Sequence, residues 1–121
     1  MSPKVRWLLL AIAALALAWA WLDRSGLLKP PPAPIVVTSE LVAAGRRVYR
    51  DRCHSCHTDI PLGKRVKAWA PGHAYDVIGR LPEIGVSPER KPMPPFPGSD
   101  DERRALAAWI SELGAGRVPQ Y

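Results

Sequence analysis

Apolar positions fall into distinct regimes along the chain. From Trp7 to Leu22 they form one unbroken run of sixteen residues without a charge or a proline, with Trp7, Trp19 and Trp21 near its ends. From Ser39 the spacing becomes helical. Leu41, Gly45, Val48 and Tyr49 recur on one face, Arg46, Arg47, Arg50 and Asp51 fall mainly on the other, and Ser39 stands where a cap belongs. Ala74, Val77, Ile78 and Leu81 predict a short helix over 74–81 that Pro82 stops. The clearest helix comes last. Ser99-Asp100-Asp101-Glu102 has the form of a capping box, and its acids suit the positive end of a helix dipole. Leu106, Trp109, Ile110 and Leu113 then make one apolar stripe, ended by Gly114 and Gly116. No run of β-branched residues suggests a strand, so the expected class is all-α.

Prolines punctuate the rest. Lys29-Pro30-Pro31-Pro32-Ala33-Pro34 predicts an extended, semi-rigid spacer. A second proline-rich stretch contains Pro82, Pro88, Pro92, Pro94, Pro95 and Pro97, whose fixed φ angles reduce the entropy lost in holding a loop in one shape. The expected organisation is an N-terminal apolar segment at 1–28, a linker at 29–38 and a folded head at 39–121. Sixteen apolar residues are short for a membrane span of about twenty. Val5 and a snorkelling Arg6 extend the run, and the tryptophans suit an interfacial belt. The rival is a cleaved signal peptide, because Ala18-Trp19-Ala20 is an A-x-A site. Trp21 directly after it favours an uncleaved anchor.

The chemistry concentrates in Cys53-His54-Ser55-Cys56-His57. C-x-x-C-H is the attachment signature of a c-type haem. On a helical turn, residues three and four apart share a face, so two thiols can add to the vinyl groups of one porphyrin while His57 reaches its iron. A structural zinc site needs about four ligands; with two cysteines in all and only His73 outside the motif, it is hard to complete. A second candidate ligand sits in Pro92-Met93-Pro94-Pro95-Phe96, where flanking prolines would hold a thioether rigidly. His73 is the competing sixth ligand. The net charge of +6 divides into +3 for residues 1–37 and +3 for residues 38–121, too mild a balance for nucleic-acid binding. Lys64, Arg65 and Lys67 can steer an acidic partner or simply form a solvated face.

Residues 39–115 resemble a class I cytochrome c: C-x-x-C-H near the start, a methionine in a proline-rich loop, and a C-terminal helix bearing an aromatic. In that family the helix before the haem motif crosses the last helix through a glycine and an aromatic, positions matched here by Gly45, Tyr49 and Trp109. The resemblance implies one covalent haem c, thioethers from Cys53 and Cys56, and axial ligands His57 and Met93. Ile60-Pro61 replaces the more usual Gly-Pro, leaving Pro61 as a candidate partner for the His57 ring. Trp69, His73, Arg65 and Tyr75 are candidate propionate partners. The implied architecture is a small all-α cytochrome c-like domain behind a single transmembrane helix, in a bacterial inner membrane with the haem domain facing the periplasm. The implied role is non-catalytic one-electron transfer, as a tethered carrier or a subunit of a membrane respiratory oxidoreductase or oxidase complex. Its partners would be redox proteins and other membrane subunits. The alternative is a haem sensor or small-ligand binder in which Met93 dissociates and the iron takes up gas or peroxide.

Overall fold

The computed structural model describes residues 1–27, 30–84 and 92–121. Lys29 of the expected linker and Pro88 of the proline-rich loop lie outside the described residues. The chain forms two compact units, Met1–Ala33 and Pro34–Tyr121.

The first unit holds helix α1, Pro3–Arg24. It outruns the apolar stretch at both ends, taking in Lys4 and Arg6 before it and Asp23 and Arg24 after it. Its 22 residues rise about 33 Å at ~1.5 Å each, matching a hydrocarbon core of about 30 Å. None of them is buried by the protein, and the mean hydropathy of its most apolar window is 2.0. A helix of this length and apolar composition is a candidate membrane anchor.

The second unit is all-helical, with no strand among its described residues. It consists of α2 (Ser39–Arg52), the single turns α3 (His54–His57) and α4 (Leu62–Arg65), α5 (Pro71–Ile78), a 3₁₀ turn at Leu81–Glu83, and α6 (Asp100–Gly114). The cap of α2 is Thr38 rather than Ser39; its hydroxyl accepts from the Leu41 N–H at 3.1 Å. Helix α5 begins at Pro71, three residues before the expected start, because a proline at the first position loses no helical hydrogen bond.

Helix α6 is the centre of the unit and packs against α2, α4 and α5. The apolar stripe is buried as expected, but so are Ala105, Ala107, Ala108 and Ser111. The alanines carry no long side chains, so neighbouring helices approach closely on several sides. The closest approach is at Gly45, where a Cβ would stand 2.0 Å from the Ala105 carbonyl oxygen. Tyr49 stacks on Trp109 beside this crossing, with ring centroids 4.6 Å apart. Arg103 ties α5 to α6: its Nε donates to the Tyr75 carbonyl at 2.8 Å and its guanidinium lies 3.7 Å over the Tyr75 ring.

Both ends of α6 are closed by side chains and turns the pattern anticipated. Ser99 Oγ accepts from the Glu102 N–H while Glu102 Oε2 accepts from the Ser99 N–H, the reciprocal capping box. At the far end Gly116, at φ +74°, lets the Gly116 and Arg117 amides turn back to the carbonyls of Leu113 and Glu112. Replacing Ser99 by alanine should cost about 1 kcal/mol. Thermal unfolding of the haem-loaded protein checks this.

Candidate haem site

Helix α2 delivers the attachment motif. It ends at Arg52, and Cys53 adopts the cap position, its N–H donating to the Tyr49 carbonyl at 2.8 Å. The α3 turn is then closed by the amides of Cys56 and His57, both donating to the Cys53 carbonyl at 3.2 Å. Arg52 also bonds the Glu102 carboxylate, 3.1 Å away, tying the start of the motif to the start of α6.

Behind α3 lies a cavity of about 430 Å³. Cys53, His57 and Met93 stand on its wall, together with Ile60, Leu62, Val66 and Trp69 from the segment after the motif. Val77, Ile78, Leu81 and Ile84 supply a second side, and Tyr49, Leu106 and Ile110 form its back. Arg65 is the one charged side chain among the described wall residues. Of the expected site residues the structure thus gathers Cys53, His57 and Met93 around one apolar space. Cys56 is exposed and is not part of the wall.

The other histidines sit elsewhere. His54 lies edge-on to Tyr49 and Tyr121, with centroids 6.1 and 5.5 Å apart, and does not line the cavity. His73 is exposed and meets Trp69 edge-on at 4.9 Å. Among the candidate propionate partners, Arg65 and Trp69 face the cavity while His73 and Tyr75 do not. The Tyr75 hydroxyl instead donates to Asp100, a bond that pushes its pKa up.

The electrostatics suit a metal ligand. Burial lowers the pKa of His57, and the nearby Arg65 charge lowers it further, so the neutral imidazole is favoured. Its Nδ1 is buried without a hydrogen-bond partner among the described residues, so the Pro61 carbonyl does not serve it. Burial pushes the Cys53 thiol up. Both cysteines are free thiols, as thioether formation requires. The donor set therefore fits a covalently held porphyrin: an apolar pocket, a neutral imidazole, a thioether and two thiols at haem spacing.

Sequence reasoning missed Gln120 and Tyr121. Gln120 bonds the Ile60 carbonyl, the Leu62 amide and the Tyr49 hydroxyl, and Tyr121 donates to the Thr58 carbonyl. No local pattern could have signalled contacts across about sixty residues of chain.

A helical head of this kind, with C-x-x-C-H on the lip of an apolar cavity, defines a c-type cytochrome carrying covalently bound haem c. Residues 40–110 match the family described as cytochrome c oxidase, cbb3-type, subunit III, and the chain belongs to that family. No curated protein and no solved structure matches it. Haem-based electron transfer follows from that membership.

Proposed function

We propose that the chain is a membrane-tethered one-electron carrier within a cbb3-type oxidase complex, with thioether bonds from Cys53 and Cys56 and axial ligation by His57 and Met93. One observation carries the reading: His57 and Met93, far apart in sequence, line the same apolar cavity as Cys53. When bound, haem c would supply a one-electron couple, held by Cys53, Cys56, His57 and Met93.

The protein's own residues set the conditions for that couple. Val66, Trp69, Leu106 and Ile110 line the cavity and exclude water, which disfavours the more highly charged oxidised iron. Pro92, Pro94 and Pro95 hold the backbone on either side of Met93. Cys56, exposed at the surface beside the site, would supply the second thioether. Arg65 reaches the wall as a propionate partner. In this reading residues 1–28 are an uncleaved anchor, 29–38 a spacer and 39–121 the haem domain, facing the periplasm from a bacterial inner membrane. Redox proteins and other membrane subunits are its partners.

The decisive experiment is chemical. After boiling in denaturant the polypeptide should keep its colour, and neither Cys53 nor Cys56 should react with an alkylating agent. A colourless chain with both thiols modified removes the reading. Membranes solubilised in mild detergent should also yield the chain together with other oxidase subunits.

Arg65→Gln gives a subtler check. Removing a partly solvated positive charge from the cavity wall should lower the midpoint potential by the equivalent of about 1 kcal/mol or less. Redox titration of the two proteins at low and high salt measures it, and the difference should shrink as salt rises.

A further inference from the structure

Residues 92–97 form neither a helix nor a turn. Their shape is set by proline. Pro92, Pro94, Pro95 and Pro97 fix φ at about −65°. Met93, Pro94 and Phe96 each precede a proline, which holds their ψ in the extended range. A stretch restricted in this way approximates a polyproline helix, in which residues three apart share a side. Burial follows that period: Met93 and Phe96 are half-buried, while Pro92, Pro94, Pro95 and Pro97 are exposed. Met93 stands on the wall of the haem cavity, and Phe96 packs against the core of the unit.

The Phe96 ring has a second seat besides the core. It lies across Gly98, where a Cβ would stand 2.6 Å from its Cζ and 2.7 Å from its Cε1. Gly98 directly precedes Ser99, the cap of α6, and α6 also supplies Leu106 and Ile110 to the back of the haem cavity. Ile78 borders that cavity on one side and the hollow beside Phe96 and Arg103 on the other.

We infer that Phe96 is a positioning residue for the iron's sixth ligand: seated over Gly98, it fixes, through the stiff Pro94-Pro95 link, where the Met93 thioether stands. The inference rests on the proposed ligation by Met93. A flexible loop would lose backbone freedom each time its sulfur met the metal, whereas a stiff segment anchored three residues away has lost it already. The two residues are about 9 Å apart along a polyproline axis, so a displaced ring moves the sulfur.

Phe96→Ala, Phe96→Leu and Pro94→Gly, each in the full haem-loaded chain, test this. Removing the ring should weaken the near-infrared sulfur–iron band. It should also raise the apparent affinity of the reduced protein for carbon monoxide about tenfold, because the population with methionine detached rises in that proportion. Leucine still fills the seat with apolar bulk and should restore most of the band. Pro94→Gly leaves the ring seated and loosens only the link; a gain of about two- to fivefold in carbon monoxide affinity is expected. This exposed position carries the test if Phe96→Ala fails to assemble. Assembled variants that unfold at a lower temperature yet keep the band and the wild-type response to carbon monoxide make Phe96 a core residue only and overturn the inference. Met93→Ala separates this failure from the other: if the band survives in that variant, the ligand reading falls and the inference with it.

Discussion

Met93→Ala is expected to lower the midpoint potential by a few tenths of a volt, within the roughly 0.8 V range that axial ligands command. The sign follows from the ligand. A thioether favours reduced iron relative to imidazole, and alanine leaves the position to water or a stronger donor. The near-infrared sulfur–iron band should vanish with the methionine. With Met93 as the proposed sixth ligand, the reduced variant should also bind carbon monoxide at neutral pH, whereas the wild-type chain should resist it. Fold stability should change less than the potential, because Met93 is only partly buried in a loop. The same measurements decide between carrier and sensor: ready carbon monoxide binding by the unaltered protein would mean that Met93 dissociates in the working state. If the band survives in Met93→Ala and disappears in His73→Ala, the sixth ligand is His73, despite its exposure and its position off the cavity wall.

What was legible in the sequence was the part encoded over short distances. The C-x-x-C-H spacing names its chemistry because five adjacent residues carry it. The capping box at Ser99 and the stripe of Leu106, Trp109, Ile110 and Leu113 give α6 its start and its buried face for the same reason. The breadth of that burial was not legible. Ala105, Ala107 and Ala108 add little to an apolar stripe, yet they let three neighbouring elements close around one helix. Arg65 shows a different limit. The sequence offers it both as a surface charge beside Lys64 and Lys67 and as one of four candidate propionate partners, and only the fold separates it and Trp69, on the cavity wall, from His73 and Tyr75. Gln120 is the extreme case, a polar residue near the end of the sequence whose partners are Leu62, Ile60 and Tyr49. Hydrophobic periodicity is blind to a side chain that mimics a strand of backbone.

Gly45→Ala tests the contact on which the rest of the haem domain is built. In an isolated helix the change should stabilise, because alanine is favoured over glycine by about 1 kcal/mol in a helix interior. In this protein the added methyl would stand 2.0 Å from the Ala105 carbonyl oxygen, 2.6 Å from its carbon and 2.7 Å from the Trp109 Cβ. These are atoms of, or directly fixed to, the α6 backbone, so no side-chain rotation relieves the overlap and the two helices must separate. Overpacking of this kind costs about 1–3 kcal/mol and occasionally more, and here it also pulls Tyr49 from its stack on Trp109. The cost outweighs the propensity gain. A net loss of about 2 kcal/mol in a domain of this size lowers the unfolding temperature by about 8–16 °C, measurable by calorimetry on the haem-loaded protein. Since α2 ends where Cys53 begins, the yield of protein with covalently attached haem should fall as well. Gly45→Val, with two further methyl groups at the same point, should fall further on both measures. An alanine variant that unfolds at the wild-type temperature with full haem content would show that α2 and α6 do not cross this closely in the working protein.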